Sequence, residues 1–163
     1  MDTRDYHYQF TVPASPEQVL EAITRIPDWW TINMEGQCRK PGDEFTVQFA
    51  DVHRTTQRVT EFEPGKRMEW LVTESHLPWL KEVEEWKGTE IVFAVEKLDN
   101  GSRLLFTHKG LTPKVECYEQ CEKGWAYFIG TSLYKLITEG VGEPDTSERT
   151  HMDTIGHVSP KNA

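Results

Sequence analysis

The sequence predicts an α+β fold in which a curved antiparallel sheet of about six strands wraps around a long C-terminal helix. Apolar and polar residues alternate along much of the chain before residue 110, which is typical of strands with one buried face. The connections between these stretches are short, as they are between antiparallel strands. Segment 111–140 has an apolar period of 3.6 residues instead, which indicates one amphipathic helix.

The N-terminal part predicts one strand followed by one or two short helices. Residues 6–12 alternate in polarity, and Pro13 ends this strand. Residues 15–18, Ser-Pro-Glu-Gln, have the pattern of a capping box, in which two side chains satisfy free N–H groups at a helix start. Pro27 closes that helix, and residues 28–31 continue as a short helix or turn that carries two tryptophans.

Five further strands are predicted in a meander. They cover residues 45–49, 53–62, 67–73, 91–95 and 104–108. Residues 63–66, Glu-Pro-Gly-Lys, predict a type II turn, and residues 99–101, Asp-Asn-Gly, predict a tight hairpin. We expect residues 34–43 to form a loop, because Gly36 and Pro41-Gly42 interrupt them.

The acidic segment 74–87 lies between two of these strands and has two interpretations. Its charges favour a solvated loop. Trp79 and Trp86 favour a lid or a partner-docking edge instead, since large apolar rings are costly to expose.

The final helix is predicted from its ends and from its apolar side. Thr112 can cap its start, Pro113 suits its first position, and Gly140 can end it. One side carries Tyr118, Cys121, Trp125, Phe128, Ile129, Ser132, Leu133 and Leu136.

Composition excludes several classes of partner. The net charge of −9, with no basic cluster, argues against nucleic acid and against anionic membrane surfaces. No apolar run approaches the length of a membrane span, and the N-terminus has no secretory pattern. The three cysteines lack metal-type spacing and suit reduced thiols, so we expect a cytoplasmic protein without metal or cofactor.

Four stretches resemble a known superfamily. They are residues 14–19 with Trp29-Trp30, residues 59–65, residues 88–111, and Gly124-Trp125 with residues 133–140. The chain resembles the START-like helix-grip superfamily, also called SRPBCC, and is most similar to bacterial homologues of the C-terminal domain of the heat-shock-chaperone ATPase activator. The resemblance implies one domain over residues 1–142, with a cavity between sheet and helix that accepts an apolar or aromatic molecule. Residues 143–163 are polar and are predicted to be a flexible tail.

The predicted cavity wall consists of the residues, mostly aromatic, that the strands and the helix are expected to direct inward. It comprises Trp30, Phe45, Trp70, Phe93, Phe106, His108, Tyr118, Glu122, Trp125, Phe128 and Ile129. The alternative interpretation of these rings is a plain packed core. Gln57 and Arg58 lie on opposite faces of one strand, and the sequence does not decide between them.

Three functions are consistent with this pattern. The first is binding of a small hydrophobic or aromatic ligand between sheet and helix. The second is a cyclase, dehydratase or hydrolase-like enzyme, with Glu122 raised in pKa by burial or His108 as a proton carrier. The alternatives for those two residues are a carboxylate at the edge of the helix and a hydrogen-bonded core histidine. The third is a module that binds a chaperone or another protein.

Overall fold

The computed structural model describes residues 4–147. Its elements are β1 (Tyr6–Val12), α1 (Pro16–Thr24), α2 (Ile26–Trp29), β2 (Met34–Gly36), β3 (Glu44–Phe49), β4 (His53–Glu63), β5 (Arg67–His76), β6 (Glu90–Leu98), β7 (Gly101–Lys109), α3 (Tyr118–Tyr127), a π-helical segment (Phe128–Leu133) and α4 (Tyr134–Glu139). We call residues 118–139 the C-terminal helix. In the described part of the chain, no helix is both long and apolar enough to cross a membrane.

The strands form one curved antiparallel sheet in the order β1-β7-β6-β5-β4-β3-β2, which confirms the predicted fold class. The strand number differs, because β2 lies in the segment predicted to be a loop. This strand has only three residues, too few to show an alternating pattern, and it pairs with β3. Gly36 has φ +109°, and a Cβ at this position would lie 2.2 Å from the carbonyl oxygen of Glu44.

Local signals in the sequence place most of the turns correctly. In the capping box, Gln18 N–H donates to Ser15 Oγ at 3.1 Å, and Ser15 N–H donates to Gln18 Oε1 at 2.9 Å. Leu98 pairs with Gly101 across a two-residue hairpin loop. The turn before β5 is closed by a bond from Lys66 N–H to the Glu63 carbonyl oxygen at 2.9 Å.

The C-terminal helix begins later than predicted, at Tyr118 rather than at Pro113. The two residues before it are held by a distant side chain, since the Glu85 carboxylate accepts from Glu116 N–H at 2.8 Å and from Cys117 N–H at 3.0 Å. The other end is as predicted: Gly140 has φ +83°, and its N–H donates to the Leu136 carbonyl oxygen at 3.0 Å. The predicted apolar side is buried from Cys121 to Leu136 and packs against the sheet.

Residues 77–89, which we call the cover segment, connect β5 to β6 and lie against the start of the C-terminal helix. Leu77, Leu80 and Trp86 are buried, so the solvated-loop interpretation is wrong for these side chains. Trp79 is 39% exposed, and its Nε1–H donates to the Val52 carbonyl oxygen at 2.9 Å. The cover segment therefore closes one end of the space between sheet and helix.

The residues after the C-terminal helix contact the body of the fold, at least as far as they are described. Asp145 N–H donates to the Trp30 carbonyl oxygen at 2.9 Å, and Glu143 N–H donates to Ser132 Oγ at 2.7 Å. These bonds hold Glu143 and Asp145, the first residues of the predicted flexible tail, against the body of the fold. Residues 148–163 of that predicted tail lie outside the described residues.

Candidate functional site

A stack of indole rings fills the centre of the space between sheet and helix. The ring centre of Trp30 lies 5.1 Å from that of Trp125 and 5.7 Å from that of Trp29, in nearly parallel arrangements. Trp86 of the cover segment also stacks on Trp125, with ring centres 5.8 Å apart. Stacked aromatic pairs stabilise the fold beyond the area that they bury. The helix, the sheet and the cover segment are thus joined by contacts between rings.

Several of the predicted cavity residues belong to this packed interior and do not face open space. Trp70 contacts Phe45 at 4.9 Å and Phe93 at 4.8 Å between ring centres. Phe106 contacts Trp125 at 4.6 Å, and Ile129 is fully buried. For these residues the geometry fits the plain-core interpretation.

A small hollow remains at the end of the stack, between the cover segment, the β3–β4 turn and α3. Its wall consists of Trp30, Phe49, His53, Leu77, Trp79, Trp86, Cys121, Gly124, Trp125 and Phe128. Of the predicted residues, Trp30, Trp125 and Phe128 line it. Phe49 and His53 follow the strand alternation and could have been found by it. The residues of the cover segment carry no periodic signal.

The hollow is too small for a ligand in this conformation. Its volume is about 30 Å³. That is enough for a water molecule, whereas pockets for small molecules usually measure about 300–1,000 Å³. Trp79 is the most exposed residue of its wall.

His108 is a fully buried member of a hydrogen-bond chain and does not line the hollow. Trp125 Nε1–H donates to its Nδ1 at 3.0 Å, so the ring proton is on Nε2, which lies 2.9 Å from Thr89 Oγ. Thr89 in turn donates to the Trp86 carbonyl oxygen at 2.6 Å. Burial, with a smaller contribution from His53, lowers the pKa of His108 to about 3. Because both ring nitrogens are occupied and the ring stays neutral, the geometry favours a structural role over proton transfer.

His53 is the polar residue of the hollow that the sequence analysis did not select. Its Nε2 lies 3.0 Å from Thr55 Oγ, and its ring contacts Trp86 at 4.7 Å. Burial lowers its pKa to about 3, so this imidazole is also neutral. Gln57 extends the polar row along the same face of β4 by donating to Thr55 Oγ at 2.5 Å. Arg58 is on the outer face and exposed, which decides between the two weak candidates.

Glu122 and Tyr118 are half-buried and lie away from the hollow. They border a shallow surface depression next to Trp79. Burial and then the negative charge of Glu122 raise the pKa of the Tyr6 hydroxyl, which places the carboxylate near β1. Neither Glu122 nor His108 lines the hollow. Within residues 4–147, no group of three or more His, Cys, Asp or Glu side chains is arranged to hold a metal ion.

Comparison with solved structures finds the same fold in bacterial proteins. The Aha1 dimer from Colwellia psychrerythraea is 26% identical, with a TM-score of 0.70 over 85% of this chain and 99% of that one. MLL2253 from Mesorhizobium loti is 16% identical, with a TM-score of 0.68 over 84% and 98% of the two chains. BH1534 from Bacillus halodurans is 18% identical, with a TM-score of 0.61 over 85% and 99%. No curated protein matches the sequence.

The family comparison covers most of the chain. Residues 13–138 match the model of the family described as "Activator of Hsp90 ATPase homolog 1-like protein". This range runs from the end of β1 to the last turn of the C-terminal helix and includes every residue that lines the hollow. The protein therefore belongs to the Activator of Hsp90 ATPase homolog 1-like family, within the START-like helix-grip superfamily.

Proposed function

We propose that the protein binds a small, flat and mostly apolar molecule by enlarging the hollow at the end of the tryptophan stack. The observation that carries this proposal is the composition of the wall. Six aromatic side chains meet there with one neutral histidine, His53, and small-molecule sites typically combine an apolar lining with a few placed polar groups.

Trp79 is the residue whose movement would enlarge the hollow at least cost. Its side chain is partly in solvent, and the hydrogen bond from its Nε1 to the Val52 carbonyl oxygen is one that water can replace. The other tryptophans of the wall are buried and stacked, so moving them would break ring contacts. A ligand would therefore enter past Trp79 and lie against Trp86, Trp125 and Phe128.

The experiment is a thermal-shift measurement with 1-naphthol and indole as flat probes and with octanol as a flexible one. A ligand that binds only the folded state raises the melting temperature, and saturation at about 100 times Kd adds about 2.7 kcal/mol of stability. We expect 1-naphthol or indole to raise the melting temperature of the natural chain. Trp79→Ala should associate faster with the same probe, and the quenching of tryptophan fluorescence measures that rate.

A blocking variant makes the test specific for the hollow. Gly124 lines it, so Gly124→Leu places a side chain in the open space and should abolish the shift. Lys123→Leu is the matched control, because it adds the same side chain at an exposed position of the same helix. No shift by any probe in either the natural chain or Trp79→Ala would contradict the proposal, as would an undiminished shift in Gly124→Leu.

A second candidate is a chaperone-related role, which the family description supports. The surface that would carry it is the cover segment, where the exposed Trp79 lies beside the acidic residues 82, 84 and 85. The immobilised natural chain should retain purified Hsp90, and the immobilised Trp79→Lys variant should not retain it. Tyr127→Lys is the control, because Tyr127 is another exposed aromatic residue on a different surface. Equal retention by all three chains, or none by the natural one, would contradict this candidate.

A further inference from the structure

Cys117 and Cys121 form a thiol pair at the start of the C-terminal helix. Cys117 immediately precedes the helix, and its carbonyl oxygen accepts the Cys121 N–H at 2.8 Å. The two Sγ atoms face each other at 2.6 Å. Both side chains are buried, so no solvent separates them.

The two thiols differ in access to small solutes. Cys121 lines the hollow, whose wall includes the partly exposed Trp79, whereas Cys117 does not line it. The hydrogen bond from Cys121 and then burial raise the pKa of the Cys117 thiol. Cys117 therefore keeps its proton, and Cys121 is the thiol placed to react first with a molecule that enters the hollow.

The geometry points to a peroxide-sensitive dithiol that closes to a Cys117–Cys121 disulfide. The Cys121 sulfur attacks one oxygen of a hydroperoxide, the O–O bond breaks, and a sulfenic acid and one water (or alcohol) form. The Cys117 sulfur then attacks the Cys121 sulfur. The S–O bond breaks, and the hydroxide leaves as water with the Cys117 proton. Two thiols lose two electrons in total, and the peroxide takes them up.

The backbone allows this bond with a small adjustment. Four residues of helix advance by about 6 Å, which lies within the Cα separation that disulfides span. Cys117 lies outside the regular helix, so its side chain can turn without breaking the following turns. The bond would form where Glu85 of the cover segment binds the helix start.

The test is peptide mapping of the full chain after treatment with millimolar hydrogen peroxide under native conditions, followed by alkylation of free thiols in denaturant. Trypsin releases Cys117 and Cys121 together in peptide 115–123, and Cys38 separately in peptide 26–39. We expect peptide 115–123 to lose about 2 Da and to resist alkylation, and dithiothreitol to reverse both changes. Cys38 is the internal control, because it is as buried as the other two cysteines. It should remain fully alkylated, since its sulfur neighbour is the thioether of Met68, which cannot form a disulfide.

Variants separate pairing from simple oxidation. Cys38→Ser should keep the mass loss of peptide 115–123, whereas Cys117→Ser should replace it by oxygen addition at Cys121. The measurement on the natural chain decides the proposal even if Cys117→Ser does not fold. Two free thiols in peptide 115–123 after peroxide treatment, or only its sulfinic and sulfonic forms, would overturn it. The proposal is independent of ligand binding, so a failure of the probe experiments leaves it standing.

Discussion

Gly130 lies at the closest approach between the C-terminal helix and β1. A Cβ at this position would lie 2.2 Å from Tyr8 Oη and 2.6 Å from Tyr8 Cζ, and real Cβ atoms do not make such contacts. Gly130 belongs to the π-helical segment, and its backbone has an ordinary helical conformation. A side chain at this residue would therefore have to displace the end of the tyrosine ring.

Gly130→Ala should lower the free energy of unfolding by about 1–3 kcal/mol, the usual cost of forcing an extra methyl group into a packed contact. In an unobstructed helix the same substitution stabilises by about 0.5–1 kcal/mol. The two effects have opposite signs, so equilibrium unfolding in urea distinguishes them directly.

The control for Gly130 is the ring itself. In a Tyr8→Ala background the obstruction is absent, and Gly130→Ala should be neutral or stabilising there. The two substitutions therefore should couple strongly in a double-mutant cycle. An equal loss of stability in both backgrounds would show that something other than the Tyr8 contact requires glycine.

At the scale of elements, the sequence predicts correctly those features that are determined by residues close together in the chain. The alternation in the strands, the capping box before α1 and the hairpin at Gly101 all depend on contacts within a few residues. The start of the C-terminal helix differs from the prediction, because the two residues just before it are held by Glu85, which lies 31 and 32 residues away along the chain. No pattern near Thr112 contains that information.

The cover segment is the element for which sequence reasoning failed most clearly. Its buried residues, Leu77, Leu80 and Trp86, follow neither a period of two nor a period of 3.6. They are positioned by single contacts to other elements, such as the stacking of Trp86 on Trp125. Long-range contacts of this kind are fixed by the whole fold, so a one-dimensional pattern does not reveal them.

The candidate site was predicted only in part, for a related reason. The pattern correctly indicated that Trp70, Phe106 and Trp125 face the same interior. Whether facing rings leave a gap or fill it depends on side-chain rotamers and on the third layer that the cover segment supplies. The hollow therefore involves only a few of the predicted cavity residues. The rest of its wall consists of residues that no sequence pattern assigns to a cavity.

On the scale of the whole molecule, the packed interior holds two neutral histidines that contact the same tryptophan ring. His53 and His108 each contact Trp86 at 4.7 Å between ring centres. Protonating either one would place an unpaired charge in an apolar interior, which is strongly unfavourable. The stability of the whole fold is therefore linked to the ionisation of these two side chains.

The sign of this linkage follows from the two pKa values. The unfolded chain takes up protons on both histidines as the pH falls below the ordinary value of 6.5, whereas burial lowers the folded pKa of each to about 3. Their contribution to stability is complete above pH 6.5 and is lost as the pH falls toward 3. Each histidine changes the free energy of unfolding by about 1.4 kcal/mol per pH unit in this range, so we expect a loss of about 2–3 kcal/mol between pH 7.5 and pH 5.5.

Urea unfolding across this pH interval, repeated on single variants, assigns the loss to its source. His53→Gln and His108→Gln should each remove about half of the pH dependence, and glutamine at 108 can still accept the hydrogen bond from Trp125. His7→Gln is the matched control, because it makes the same substitution at an exposed histidine. Burial raises the pKa of Asp145, so its contribution to stability changes with pH in the opposite sense. Asp145 is present in all four chains and does not affect their comparison. If the free energy of unfolding still falls equally with pH in both His53→Gln and His108→Gln, the acid sensitivity of the fold arises from its carboxyl groups and not from these two histidines.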